Sequence, residues 1–465
     1  MEPLVDAVRS AARRDPDRVA LKGAGGEIGY GELAERLSSS VEGSDRRVLS
    51  VSGTVDDVIA LLTLACGGHS VLLLDAAATP WEAERATALF QGAGSEAPVL
   101  GLSTSGTTGL PKIVEVGWPE LLANARACAR SLRLGESDVV WCTAAMPHRM
   151  NLDRSLLAGL LSGATVVVRS GLLGPAEFHR TLLGERVTVL LSIPFLYRRY
   201  AERLAGEPGV TRDWALRTCV AGGEPLPDDL VAGWQKATGV PLLPAYGTTE
   251  DGSVTLGRGD PGEGVGAPLD GAELRIDPSG EVLVRHSWAS GGDGSGRSAE
   301  WRRTGDLGRL DEHGNLHISG RRSELMNIGG RRVDPHEIEQ ALRMNGRVTD
   351  CVVAGMPVSE REEIVAFVVT DGDVPNAELR RNLAALLSPH KLPHRFVRLS
   401  EIPRGLTGKA RRGMLVADLL RRESDPAREA ADPARTAADP AREAADPAGA
   451  ETGRARGEEA GAEQR

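Results

Sequence analysis

Between residues 119 and 250, helical stretches alternate with short apolar runs, and this rhythm limits the fold more than any other feature of the chain. The runs are Ala164-Thr165-Val166-Val167-Val168, Val187-Thr188-Val189-Leu190-Leu191 and Thr218-Cys219-Val220-Ala221. Apolar strands separated by helices are the pattern of a largely parallel, doubly wound sheet. The first ~95 residues repeat the alternation: Val55 to Ala65 reads as a helix, and Ser70-Val71-Leu72-Leu73-Leu74 as a buried strand. Residues 251–318 are different, rich in Gly and Pro with short strands at Ala272–Ile276 and Glu281–Val284, which predicts a small antiparallel sheet or distorted barrel. Glycine and serine concentrate between Ser290 and Ser298, the composition of a mobile surface loop. From about Arg322 a further domain is expected, with a helix opening at Pro335-His336-Glu337-Ile338-Glu339 and strands at Cys351–Ala354 and Ile364–Thr370.

After about residue 422 the chain becomes a seven-residue repeat, beginning Asp425-Pro426-Ala427-Arg428-Glu429-Ala430-Ala431. The period suits a coiled coil, but large apolar residues are missing and every repeat carries a helix-breaking proline. A disordered tail is the expectation for 423–465.

With 465 residues, two or more domains are expected. The net charge of −10, with no basic stripe, argues against nucleic-acid binding. Cys66, Cys128, Cys142, Cys219 and Cys351 are scattered and odd in number, which reads as reduced thiols in a cytoplasmic protein. Neither these cysteines nor His148, His313, His317 and His336 have the spacing of a zinc site. The N-terminus has no signal-peptide pattern, and the apolar stretch from Val58 to Leu74 is broken by Cys66-Gly67-Gly68-His69-Ser70, so no integral membrane association is expected.

The chemistry concentrates in a short loop, Ser103-Thr104-Ser105-Gly106-Thr107-Thr108-Gly109-Leu110-Pro111-Lys112. Glycines let backbone N–H groups approach a ligand, hydroxyls add donors, and Lys112 adds a positive charge, a combination suited to the phosphates of a nucleotide. Pro111 before the lysine, and the absence of a hydroxyl after it, distinguish the segment from the G-x-x-x-x-G-K-[ST] phosphate loop. Three more segments follow in order: Ala245-Tyr246-Gly247-Thr248-Thr249-Glu250; Arg303-Thr304-Gly305-Asp306 with Gly320-Arg321-Arg322 and Gly330-Arg331-Arg332-Val333; and Pro403-Arg404-Gly405-Leu406-Thr407-Gly408-Lys409. Together with Tyr30-Gly31-Glu32-Leu33 near the start, they resemble the signature elements of the acyl-adenylate-forming ligases: acyl-CoA synthetases, adenylation domains and luciferases.

This resemblance implies an α/β fold, with a large N-terminal domain of doubly wound sheets plus a small β subdomain (1–321, shortened at its start) and a mobile α+β C-terminal domain (322–422). It implies ATP and Mg²⁺ as cofactors, with CoA or a carrier-protein phosphopantetheine as acceptor. Thr104, Ser105, Gly106, Thr107, Thr108, Gly109 and Lys112 would hold the β- and γ-phosphates. Glu250 is the implied magnesium ligand, because Mg²⁺ favours one or two carboxylates plus phosphate oxygens. Tyr246 would stack on adenine beside Gly247, Thr248 and Thr249, with Gly223-Glu224-Pro225 as another wall of the base pocket. Asp306 would accept hydrogen bonds from the ribose hydroxyls with Arg321 as its companion, and Lys409 would stabilise charge between carboxylate and α-phosphate. The hinge of the C-terminal domain corresponds to Ser323, where the family usually has Asp or Lys, and Asn327 stands where many relatives carry a lysine. Gly329-Gly330 would let a pantetheine arm approach, while Arg331 and Arg332 either meet its phosphate or face water.

Pro147-His148 followed by Gly163-Ala164-Thr165 resembles the P-x-x-H…G-A-T segment of acyl- and aryl-CoA ligases, except that proline and histidine are adjacent. It would put His148 near the substrate carboxylate; the other reading is a histidine packed at a strand end. Asp153 reads as a local helix cap or surface charge. The expected activity is activation of a small-molecule carboxylic acid to acyl-AMP, followed by transfer to CoA. The alternatives are a stand-alone enzyme loading an acyl or amino acid onto a carrier protein, and a nucleotide-binding scaffold without turnover.

Overall fold

The apolar runs become neighbouring strands of one sheet. In the computed structural model, nine strands lie side by side in the order Ala267–Pro268, Gly252–Leu256, Leu242–Thr248, Thr218–Gly222, Val189–Ser192, Val139–Cys142, Thr165–Val168, Val19–Gly23 and Gly26–Gly29. Those from Leu242–Thr248 through Val19–Gly23 pair in parallel, and antiparallel partners continue the sheet at both ends. The structure describes residues 1–93, 97–105, 111–169, 173–206, 213–260, 262–287, 300–322, 324–328, 331–358, 361–404 and 410–424.

Side chains alternate across a strand, and here both faces are covered. Trp141, Leu190, Cys219 and Ala221 pack with Phe178, Leu182, Tyr197, Tyr200 and Trp234 from helices Pro175–Gly184, Pro194–Gly206 and Asp228–Thr238. Val140, Cys142, Leu191 and Val220 belong to a separate apolar cluster. Tyr30, in the Y-x-E-L element, is fully buried at the start of helix Tyr30–Ser38, and its hydroxyl donates to the Ala164 carbonyl at 2.7 Å.

A second sheet contains Arg46–Val51, Ser70–Asp75, Val99–Ser105 and Pro111–Gly117, the first three parallel and the last antiparallel. Helix Val55–Cys66 between its first two strands starts at a capping box of Thr54 and Asp57. The segment read as one ten-residue loop is partly strand, because Thr104 pairs with Lys112 and Ser105 with Pro111. Gly106, Thr107, Thr108 and Gly109 lie outside the described residues, as do Ser290–Ser298, Ser323, Gly329-Gly330, Lys409 and the repeat from Asp425.

Ala272–Ile276, Glu281–His286, Arg302–Leu310 and Leu316–Arg321 form a four-stranded antiparallel sheet, the simpler of the two forms expected. The last region has its own apolar core: Ile338 and Leu342 of helix Pro335–Arg343 pack on Cys351, Val353, Ile364 and Val368. Its strands Val348–Val358, Arg361–Thr370 and Arg395–Arg398 form a three-stranded sheet, the first pair antiparallel and the second parallel. The chain divides into two compact units, Met1–Leu415 and Val416–Arg465; the described part of the second is the end of helix Arg412–Ser424. Among the described residues no helix is long and apolar enough to cross a membrane.

Four of the five cysteines are buried and Cys66 is half-buried, with none in a disulfide. Burial pushes the Cys128 thiol up to about 11 and those of Cys142 and Cys351 up to about 12.

Candidate functional site

Tyr246, Asp306 and Arg321 come from three strands and meet. Gly305, with φ +76°, lies within strand Arg302–Leu310 where its pairing with Glu281–His286 is irregular, a conformation that favours glycine. The Asp306 amide then donates to Thr304 Oγ1 at 3.1 Å. Asp306 and Arg321 are cross-strand partners, with Arg321 Nε 3.2 Å from Asp306 Oδ1. The Tyr246 hydroxyl donates to Asp306 Oδ2 at 2.6 Å. Burial, and then the Asp306 charge, raise the Tyr246 phenol far above its ordinary value, so it stays protonated and remains a donor. Asp306 is thus held on both sides.

Tyr246 is seated by a close approach: a Cβ on Gly247 would lie 2.2 Å from the Gly252 carbonyl oxygen, where the strand pairing is irregular. Beyond it, the Thr248 hydroxyl donates to Asp251 Oδ2 at 2.8 Å, and the Asp251 amide returns a bond to Thr248 Oγ1 at 2.9 Å. Arg302 NH2 lies 2.6 Å from Asp251 Oδ1, and Arg149 NH1 donates to the Thr249 carbonyl at 3.3 Å. Glu250 therefore sits on a turn fixed from both sides. Its Oε1 lies 3.5 Å from Lys112 Nζ, and both side chains are exposed. Such an exposed pair contributes little to stability.

Among the described residues no three His, Cys, Asp or Glu side chains converge as a metal cage. A magnesium ion shared with substrate phosphates needs only one or two carboxylates, and Glu250 beside Lys112 fits that donor set. Gly223, with φ +87°, follows strand Thr218–Gly222, and no heavy atom lies nearer than 3.9 Å to a Cβ built there. The Glu224 carboxylate accepts from Arg404 NH1 at 2.8 Å. His148 is half-buried and precedes the short helix Arg149–Asn151. Thr104 and Ser105 are placed as strand residues, while Gly330 and Lys409 are outside the described residues.

Sequence reasoning missed the polar group behind this surface. Asp153 is neither a cap nor a surface charge: it is fully buried and accepts from Arg149 Nε at 2.9 Å. It lies in a π-helical segment, Leu152–Leu157, a form rare enough that it often marks functional regions. Arg154, also buried, donates from Nε to Ser253 Oγ at 2.7 Å and from NH2 to the carbonyls of Thr255 at 2.9 Å and Tyr246 at 3.2 Å. Asn124 completes the group with two bonds to the Ser253 backbone, at 2.7 and 3.0 Å. These side chains fasten both strands of the hairpin that presents Tyr246 and Glu250. The available signal was the opposite charges of Arg149 and Asp153 four residues apart, just before the apolar run Leu156–Leu161.

Residues 54–292, more than half of the chain, match the family model of AMP-binding enzymes, and residues 337–409 match the AMP-binding enzyme C-terminal domain. A 2-succinylbenzoate–CoA ligase of Bacillus cereus is 31% identical over 346 residues, covering 69% of this chain and 68% of the relative. The mitochondrial acyl-coenzyme A synthetase ACSM4 of Rattus norvegicus is 30% identical over 358 residues, and the match spans 69% of this chain but only 61% of that relative's length. Among solved structures, ATP-bound MatB from Rhodopseudomonas palustris superposes with a TM-score of 0.73 at 23% identity, covering 89% of this chain and 98% of that one. That likeness establishes a shared fold.

Proposed function

Because the chain belongs to the AMP-binding enzyme family, we propose that it activates a carboxylic acid as acyl-AMP and transfers the acyl group to the thiol of CoA. The observation that carries this reading is the Tyr246–Asp306–Arg321 constellation together with the Lys112–Glu250 pair, whose glutamate stands four residues beyond Tyr246; we read them as a ribose acceptor and a phosphate-and-metal site.

In the first step a carboxylate oxygen attacks the α-phosphorus of ATP, and the bond to pyrophosphate breaks. Two anions must meet, so positioning and cationic stabilisation do most of the work. The 103–112 segment holds the β- and γ-phosphates, Lys112 supplying charge. Asp306, oriented by Tyr246 and Arg321, accepts from the ribose hydroxyls, and Gly223, Gly247 and Thr248 border the base. Mg²⁺, when bound through Glu250, neutralises phosphate charge. Lys409 stabilises negative charge at the α-phosphate, and His148 stands at the carboxylate. In the second step the thiol sulfur attacks the acyl carbon, the C–O bond to AMP breaks, and Gly330 admits the pantetheine arm. The working division is 1–321 for nucleotide and acid, 322–422 for the mobile lysine-bearing domain and 423–465 as a separate tail. The reduced, buried thiols suit a cytoplasmic setting.

The test is mass spectrometry of products from ATP, Mg²⁺, CoA and a pool of carboxylic and amino acids that includes 2-succinylbenzoate and benzoate, the acids in the names of relatives. An acyl-CoA product is expected. Acyl-AMP that reacts only with a holo carrier protein would replace CoA as acceptor, and no AMP from any acid would refute the assignment.

A further inference from the structure

Arg404 stands five residues before Lys409, and its guanidinium joins elements that are distant in the chain. NH2 donates to both oxygens of Asp350, at 3.0 and 2.9 Å, on strand Val348–Val358. NH1 donates at 2.8 Å to Glu224, which follows strand Thr218–Gly222 of the nine-stranded sheet. The guanidinium carbon also lies 4.9 Å from the centre of the Phe195 ring, in helix Pro194–Gly206. The three side chains Arg404, Glu224 and Asp350 are 12%, 17% and 22% exposed, so the charges interact in partly desolvated surroundings where they are stronger than on an open surface.

The backbone at Arg404 is held as well. Arg404 and Ala410 form an antiparallel bridge, and the Arg411 amide donates to the Pro403 carbonyl at 3.1 Å. The chain thus enters and leaves residues 405–409 at one point, which Arg404 attaches to Glu224 and Asp350. Glu224 lies beside the left-handed Gly223 of the nucleotide site.

We propose that Arg404 is a positioning residue for acid activation: by bridging Glu224 and Asp350 it fixes the base of the Lys409 segment against the Gly223-Glu224 wall. The Glu224 carboxylate is thereby assigned to this tether. The inference rests on the adenylation reading given above. Arginine is required because its planar fork serves two carboxylates at once, which a lysine ammonium does less well.

The experiment compares Arg404→Ala, Arg404→Lys and Glu224→Ala with the full-length wild type, by acid-dependent ATP–pyrophosphate exchange and by hydrogen exchange of the segment 403–411. A displacement near 1 Å costs about 100-fold in rate, so Arg404→Ala is expected to lower kcat by roughly 10- to 100-fold. The KM for ATP should stay within about 3-fold, because Tyr246, Asp306 and Arg321 are untouched. Arg404→Lys should recover part of the rate. Amide exchange across 403–411 should quicken in Arg404→Ala and Glu224→Ala alike. A normal kcat in Arg404→Ala would overturn the positioning role. Unchanged amide exchange would overturn the tether even if no acid supports turnover, so its failure is distinguishable from failure of the proposed activity.

Discussion

The buried Arg149–Asp153 pair gives a stability prediction whose size follows from its surroundings. Asp153 has no exposed surface and Arg149 is 5% exposed, so truncating the carboxylate leaves a guanidinium charge that water cannot reach. Breaking a buried pair from one side costs ~3–5 kcal/mol. For a unit of several hundred residues, at roughly 2 °C per kcal/mol, Asp153→Ala should lower the unfolding midpoint by about 6–10 °C. Replacing both partners with apolar residues of similar volume, Arg149→Met with Asp153→Leu, removes the stranded charge and should return to within about 1–2 kcal/mol of wild type. The assay is thermal unfolding by circular dichroism at pH 7, at low and high salt. The loss should persist at high salt, since a buried pair is poorly screened. An Asp153→Ala midpoint within 1–2 °C of wild type, or a double variant less stable than the single one, would refute the reasoning.

Three further outcomes are expected. Asp306→Asn should raise the KM for ATP about 10- to 100-fold, the loss of one hydrogen bond to a charged group. It should also erase discrimination against 2′-deoxy-ATP; retained discrimination in pyrophosphate exchange would remove Asp306 from the ribose. Lys409→Ala should abolish acyl-AMP formation while leaving ATP binding by calorimetry largely intact, and near-normal adenylation would dismiss its catalytic role. His286 is held down to about 3, first by burial and then by the charges of Arg302 and Arg149. The unfolded imidazole takes up its proton below pH ~6.5 while the folded one does not, so stability falls as pH drops from about 6.5 towards 3. Denaturant titrations at pH 7 and 5 should show His286→Asn losing less stability than wild type, by ~2 kcal/mol; identical losses would contradict the assignment.

The parallel sheet was legible because its strands are apolar on both faces and nothing competes with that pattern. Thr218-Cys219-Val220-Ala221 became Thr218–Gly222, and Val55 to Ala65 became Val55–Cys66 with its capping box. The convergence of Tyr246 and Asp306 followed from a family resemblance, since sixty positions separate them and no local rule brings them together. What escaped were features set by tertiary context. Spacing identifies Arg149 and Asp153 as helix neighbours, but only the hairpin packed above them buries both. The Arg404 contacts to Glu224 and Asp350 join segments far apart in the chain, so the sequence showed only one more basic residue before Lys409. The 103–112 segment was read as loop because its composition is that of a loop, yet cross-strand pairing brings both ends into the sheet.

The state of the cysteines bears on the proposed chemistry. A mixed anhydride is an electrophile, and a thiolate of the protein would compete for it with the intended acceptor. A thiol raised to about 11, as at Cys128, is ionised in only about one molecule in ten thousand at pH 7. Those of Cys142 and Cys351, at about 12, are ionised more rarely still. By enclosing these three sulfurs the fold would keep them from competing with the external thiol for the activated acid in the proposed reaction.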